Sequence, residues 1–171
     1  PRTEFDDKYY QRFYDDDPVH TAAKIAALGI TLADWKAVGA QYARAMVDTA
    51  QVLAAQLDSR GVPVFATEEG FTKSHQFAVL AAQYGGGQTA SRTLEASRLL
   101  ACGIGLPEGD VEGDLAGLRL GTPELVRIGM TTADMPELAD LISRALDGSN
   151  VAQEVSAFRS RFSGVHFVAG S

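Results

Sequence analysis

The chain has 171 residues, of which 46% are hydrophobic and 22% are charged, a composition typical of a globular domain with a buried core. This composition excludes a wholly disordered chain, and no apolar run reaches the roughly 18 residues that a membrane-spanning helix needs. The net charge of −7, from 15 basic and 22 acidic residues, disfavours nucleic acid and an anionic membrane as partners. The single cysteine, Cys102, excludes an internal disulfide and predicts a cytoplasmic protein.

Residues 1–17 are predicted to form an extended arm. Its aromatic residues follow neither a helical nor a strand period: Phe5, Tyr9, Tyr10, Phe13 and Tyr14. Five rings in water would expose a large apolar area, so the arm needs a surface, which is either a partner chain or its own domain. A helix cap and solvated charges explain the acidic run 15–17 as well as a Mg²⁺ site would. We therefore predict no metal site there.

Residues 18–60 are predicted to form a helical connector. Asp17 favours a helix cap, and the first helix is expected to end at Gly29. A capping box beginning at Thr31 predicts a second helix from about Leu32 to Ser59. A helix of that length is about 40 Å long, which exceeds the width of a small domain. We therefore expect it to bridge two bodies of protein.

From residue 61 the element order is predicted to be β-β-α-β-α-α. The predicted strands are Val62–Ala66, Gln76–Ala81 and Gly117–Gly121. The predicted helices are Thr89–Leu100, a helix capped at Thr132 that runs to Leu146, and Val151–Phe162. This order fits an α/β domain over residues 61–171, built as an α+β sandwich with helices on one side of an antiparallel or mixed sheet.

Catalytic motifs are nearly absent from the sequence. There is no nucleophile elbow, no paired-cysteine motif, no zinc-protease motif and no Walker-type phosphate loop. His20, His75 and His166 lie far apart, which disfavours a metal cluster, and Cys102 is interpreted as a small buried hydrophobe rather than a nucleophile. The run Gly85–Gly87 is either a flexible connector or a phosphate cradle, and the absence of a lysine favours the connector.

Arg119 is the residue that stands out chemically. It occupies the middle of an apolar strand, between Leu118 and Leu120, and glycines flank this triplet on both sides. A guanidinium there either points to solvent or reaches into a cleft. Because its planar fork matches two carboxylate oxygens, carboxylate capture is one function open to it.

The motif around Arg119 resembles a known family. The sequence Gly-Leu-Arg-Leu-Gly-Thr-Pro at 117–123 is followed by Gly-Met at 129–130, Asp-Met at 134–135 and Glu-Leu-Ala-Asp-Leu-Ile at 137–142. Together they resemble the C-terminal domain of serine hydroxymethyltransferase, a fold type I enzyme dependent on pyridoxal phosphate (PLP), and related threonine aldolases and transaldolases. Further segments fall in register with the family: 74–75, 89–102, 151–162 and, more weakly, 18–24. The resemblance is strong from about residue 61.

The resemblance implies a role for Arg119. In that family the arginine of the motif holds the substrate's α-carboxylate, so Arg119 is expected to bind glycine, serine or threonine. PLP supplies the electron sink for the aldol or retro-aldol step at Cα. For His75 we expect a structural role at the start of its strand.

The chain departs from the family in three ways. No lysine matches the one that binds PLP covalently, since Lys24 and Lys73 lie elsewhere, and the large PLP-binding domain is missing. Asp16–Asp17 stand where the family has a Gly-Gly pair whose backbone amides bind the PLP phosphate. Because two carboxylates repel a phosphate, that contact is expected to be lost, and Arg12 is a weak candidate for a contact that replaces it. Cys102–Leu106 replaces the family's Asn-Lys-Asn loop for tetrahydrofolate, so folate independence is predicted.

These features predict half of a PLP-dependent transferase that performs aldol or transaldol chemistry and is inactive alone. The expected partner is a large-domain subunit that carries the PLP lysine, in a hetero-oligomer arranged as a dimer of heterodimers. The alternative is a non-catalytic regulatory or assembly subunit that keeps the fold. A stand-alone small-molecule-binding domain is the third possibility.

Overall fold

The computed structural model describes residues 18–170, and their side chains from residue 22 onward. The helices are α1 (Pro18–Asp58), α2 (Gly87–Ala96), α3 (Pro123–Arg127), α4 (Met135–Leu146) and α5 (Ala152–Ser160). The strands are β1 (Gln76–Leu80), β2 (Cys102–Ile104) and β3 (Gly117–Gly121). The predicted arm, the acidic run and Arg12 lie outside the described residues. Among the described helices, none is both long and apolar enough to cross a bilayer.

Helix α1 is one continuous element, so the predicted break at Gly29 is wrong. A glycine inside a helix costs only about 1 kcal/mol relative to alanine, and no proline follows it to force an end. The predicted capping box at Thr31 is also wrong. The Thr31 hydroxyl instead donates to the carbonyl of Ala27, one turn earlier in the same helix, at 2.9 Å.

The chain divides into two units. The described part of the first comprises residues 18–39 and 168–170, and the second comprises Ala40–Phe167. Within the first unit, the backbone N–H of Ala169 donates to the carboxylate of Asp34 at 2.9 Å. All three strands belong to the second unit.

The sheet is antiparallel, with β3 in the centre between β1 and β2. The predicted strand Val62–Ala66 is wrong, because only an isolated bridge between Val64 and Val79 forms there. The chain turns away at Ala66, whose backbone adopts a left-handed conformation with φ of 58°. Strand β2 was not predicted, because three residues next to glycines carry too little periodicity.

One face of the sheet packs on the core of the second unit. The buried residues of this core include Leu53 and Leu57 of α1, Val79, Leu118 and Leu120 of the sheet, and Met135 of α4. Helix α4 follows a capping box between Thr131 and Asp134, one residue before the predicted cap. The predicted α/β fold class, a small domain preceded by a long helix, is confirmed.

Candidate functional site

Arg119 lies at the centre of β3 on the face opposite the core. Its neighbours Leu118 and Leu120 are buried, whereas Arg119 is exposed, as the alternation along a strand requires. Across the described residues, no hydrogen bond or ion pair engages its guanidinium. A cation with all its donors available therefore stands on an open sheet face.

The side chains directly opposite Arg119 on this face are small. Ala78 of β1 and Cys102 of β2 pair with Arg119 across the ladder and share its face. Two residues away along β3 are Gly117 and Gly121, which have no side chains. A small anionic ligand therefore meets no large neighbouring side chain from these positions.

A residue from the β2–β3 loop limits the site at Gly117. A Cβ built on Gly117 would meet the Leu106 side chain at 2.6 Å and that of Ile104 at 3.2 Å. Leu106 therefore packs where a larger residue at 117 would stand. It gives the open face an apolar edge beside the cation.

Thr122 anchors the end of β3. It is fully buried, and its hydroxyl lies 2.7 Å from the carbonyl oxygen of Met46 in α1 and 3.1 Å from that of His75. Its backbone N–H also donates to the carbonyl of His75, at 3.0 Å. Because Thr122 is three residues from Arg119, these bonds hold the strand that presents the guanidinium against β1 and the second half of α1.

Tyr42 strengthens the same attachment. Its hydroxyl donates to the carbonyl of Pro123 at 2.8 Å, and its ring stacks on Phe167 with centroids 5.2 Å apart. Burial raises the pKa of Tyr42, an effect that the positive charge of Arg127 partly opposes. The phenol therefore stays protonated and remains a donor at neutral pH.

His75 immediately precedes β1. Its side chain is exposed, and its backbone carbonyl is the acceptor for Thr122. The contact that ties His75 to the site is thus made by its backbone and not by its imidazole.

The glycine run 85–87 forms the entry to α2, and Asp114 occupies the place where a phosphate would bind. The backbone N–H groups of Gln88 and Thr89 donate to the Asp114 carboxylate at 2.8 and 3.0 Å. These bonds, with a further one from Leu115, lower the pKa of Asp114 to about 2. A carboxylate already satisfies these amides, and its charge repels a phosphate.

Metal ligation finds no support in the described residues. No group of three or more His, Cys, Asp or Glu side chains within 22–170 is arranged to hold a metal ion. Cys102 lies at the start of β2 and is half-buried, whereas a buried side chain was expected.

A cavity of about 300 Å³ lies on the core side of the sheet. Its apolar lining includes Leu53, Leu94, Leu120 and Phe158, with Arg98 and Arg159 also lining it. Leu120 projects from the face opposite Arg119, so this cavity does not include the exposed guanidinium.

Comparison with known proteins identifies the relatives of this chain. Over 149 residues it is 55% identical to an α-methylserine aldolase of Variovorax paradoxus, a stretch that is 86% of this chain and 34% of the relative. Over 157 residues it is 39% identical to a serine hydroxymethyltransferase of Thermoplasma volcanium, covering 88% of this chain and 37% of that enzyme. The resemblance to the C-terminal portion of serine hydroxymethyltransferase is thereby confirmed.

The structure comparison agrees. The fold matches L-threonine transaldolase from Pseudomonas fluorescens with a TM-score of 0.67 and 26% identity, over 78% of this chain and 31% of that one. No family model matches the chain. The chain therefore spans about a third of the length of the serine hydroxymethyltransferase-like proteins that it resembles.

Sequence reasoning identified Arg119 but missed the residues that hold its strand in place. Thr122 belongs to the quoted motif, so its position was visible, but its acceptors are 76 and 47 residues away. Asp114 follows a glycine in a loop, and no local signal connects it to the start of α2. Lys24 and Lys73 lie outside the sheet that carries Arg119.

Proposed function

We propose that this chain is the substrate-binding half of a PLP-dependent, serine hydroxymethyltransferase-like enzyme. The enzyme performs aldol or transaldol chemistry on glycine, serine or threonine, and this chain is inactive without its partner. The partner is a large-domain subunit that supplies the PLP lysine, in a cytoplasmic dimer of heterodimers. The observation that carries the proposal is the unpaired guanidinium of Arg119 on an open sheet face, directly opposite the small residues Ala78 and Cys102.

Arg119 binds the α-carboxylate of the amino acid. A guanidinium forms two parallel hydrogen bonds to a carboxylate, and each bond to a charged group contributes about 1.5 kcal/mol or more. Two such bonds correspond to about 100-fold or more in substrate affinity. They also fix the direction of the bond between Cα and Cβ, which the aldol step forms or breaks.

The described residues suit the substrate half of such a site and not the cofactor half. The described lysines are Lys24, Lys36 and Lys73, and none lies in the sheet with Arg119. The amides at the start of α2 are engaged by Asp114, so they do not serve a cofactor phosphate. These observations support a partner that contributes the lysine and the phosphate site.

Folate independence is supported by the segment Cys102–Leu106. It forms β2 and the start of the following loop, and Leu106 packs over Gly117. The segment offers neither an amide side chain nor a cation for a folate ring. The carbon acceptor or product is then a free aldehyde.

The names of the relatives support a β-hydroxy amino acid as the substrate. α-Methylserine carries the same carboxylate and β-hydroxyl as serine, with a methyl group added at Cα. Threonine, named for the transaldolase, carries its extra methyl at Cβ. Arg119 recognises the group that all these substrates share.

The test uses the full chain assembled with the PLP-bearing partner that purifies with it. Glycine is titrated while the visible absorbance of the bound PLP is recorded. Arg119→Ala is expected to weaken the glycine response about 100-fold or more, with the assembly intact. Arg119→Lys keeps the charge but loses the fork, so it restores only part of the response.

The matched control is Arg92→Ala, which removes another exposed arginine, on α2. It should leave the glycine response unchanged. An unaltered response in Arg119→Ala would refute the proposal and favour a regulatory or assembly subunit.

A further inference from the structure

The open face of the sheet carries a second polar side chain, Gln76, at the start of β1. Gln76 pairs with Gly121 and lies two residues before Ala78, which pairs with Arg119. Because residues two apart in a strand point to the same face, Gln76 shares the face of Arg119. A Cβ built on Gly121 would lie 3.8 Å from the Cβ of Gln76, which agrees with that placement.

The other strand positions on this face carry no strong hydrogen-bonding side chain. They are Ala78, Leu80, Cys102, Ile104, Gly117 and Gly121. A sheet face that simply meets water usually has polar side chains at most of its positions. Here the polar side chains are confined to Arg119 and Gln76, an arrangement more typical of a binding site than of a solvated surface.

The side-chain amide of Gln76 is available to a ligand. The residue is half-buried, and within the described part of the chain its amide group has no hydrogen-bond partner. Its backbone, by contrast, is engaged. The N–H donates to the hydroxyl of Ser74 at 3.3 Å, and the carbonyl accepts from the hydroxyl of Thr72 at 2.6 Å. The backbone of Gln76 is therefore held in place while its amide stays open to a ligand.

We infer that Gln76 is a second substrate-binding residue, whose Nε2 donates a hydrogen bond to the α-carboxylate that Arg119 holds. This inference rests on the proposed function and adds a residue to the same site. Gln76 and Arg119 are diagonal neighbours in the ladder. Diagonal neighbours on one face lie about 7–8 Å apart, a gap that two long side chains and a carboxylate between them can fill.

The chemistry of a carboxylate explains the need for this amide. Its two oxygens accept about four hydrogen bonds, so the two bonds of a guanidinium fork leave about two acceptor sites open. An acceptor left without a partner is costly once water is excluded. A neutral amide supplies a donor without adding charge. Gly121, directly opposite Gln76, has no side chain to obstruct the ligand.

The competing assignment for Gln76 is a contact with the β-hydroxyl of the substrate. The carboxylate is favoured because Arg119 holds it beside Gln76 on the same face. Glycine separates the two assignments, since it has the carboxylate but no β-hydroxyl. A contact with the carboxylate affects glycine and serine alike, whereas a contact with the hydroxyl affects serine alone.

The experiment uses the full chain in its PLP-loaded enzyme, and the initial change in visible PLP absorbance is recorded as glycine or serine is titrated. Gln76→Leu removes the amide, and Gln76→Glu keeps its shape but replaces the donor with a negative charge. The matched control is Gln153→Glu, which makes the same change at an exposed position of α5. Thermal unfolding of each variant reports the state of the fold. If Gln76→Leu fails to fold, the isosteric Gln76→Glu decides.

Gln76→Leu is expected to weaken the binding of glycine and of serine by the same factor, about 10-fold, because one hydrogen bond to the shared carboxylate is lost. Gln76→Glu is expected to weaken both by more than about 100-fold at neutral pH, because its charge repels the carboxylate. Gln153→Glu should change neither. The melting temperatures should match wild type, since the amide of Gln76 has no partner in the described fold to lose.

Unchanged glycine affinity in the Gln76 variants, with the loss in Arg119→Ala retained, would overturn this inference but leave the proposed function standing. Weaker binding of serine with unchanged binding of glycine would also overturn it and would assign Gln76 to the β-hydroxyl. An unaltered glycine response in Arg119→Ala would instead refute the proposed function, and this inference with it.

Discussion

Gly87, the first residue of α2, should not tolerate a side chain. A Cβ built there lies 2.0 Å from the carbonyl oxygen of Gly117 in β3 and 3.0 Å from the Cα of Gly103 in β2. Ordinary van der Waals contact begins near 3.4 Å, so α2 must move away from the sheet by more than an ångström. That movement also strains the hydrogen bond from the Gly87 N–H to the carbonyl of Leu115, at 2.7 Å.

We expect Gly87→Ala to lower the free energy of unfolding by about 3 kcal/mol, from overpacking and a weakened backbone hydrogen bond. The higher helix propensity of alanine returns at most about 1 kcal/mol, so the clash dominates. Urea unfolding of the full chain, followed by far-UV circular dichroism, should show a midpoint lower by about 1.5 M at an unchanged slope.

The matched control is Gly105→Ala. A Cβ at Gly105 meets nothing within 4 Å, and its φ lies outside the left-handed region. This variant should be neutral or more stable by about 0.5 kcal/mol, because alanine restricts the unfolded chain. If Gly87→Ala unfolds at the same urea concentration as Gly105→Ala, the close packing of α2 on the sheet is refuted.

Three further outcomes are expected. Thr122→Val should cost about 1–2 kcal/mol in thermal unfolding by losing the hydroxyl bonds to Met46 and His75, and an unchanged melting temperature would contradict this. The Asp114 carboxylate has a pKa of about 2 in the folded protein and 3.8 when unfolded, so its charged form stabilises the fold above pH 4. The free energies of unfolding of wild type and Asp114→Asn should therefore converge as the pH falls from 4 to 2. Leu53→Ala should cost about 2–5 kcal/mol in urea unfolding, whereas the exposed Leu100→Ala should cost less than about 0.5.

Local patterns predicted the elements whose hydrogen bonds and burial follow from neighbouring residues. The strands around Val79 and Arg119 and the helices over 135–146 and 152–160 formed as periodicity indicated. Two of the wrong predictions have different causes: a glycine inside a helix costs little, and the chain turns away from the sheet at Ala66. Gly29 resembles a helix end, yet the helix continues through it, and Val62–Ala66 resembles a strand but forms only one bridge.

The sequence by itself determined the chemistry available to this chain, because the motif at 117–123 and the absence of a matching lysine are properties of residue order. Only the tertiary structure decided how Arg119 is presented. The alternation of β3 leaves its guanidinium on the open face, and the acceptors that hold β3 lie dozens of residues away, at Met46 and His75. Contacts between distant segments depend on how whole elements pack, and no local pattern of residue types encodes that packing.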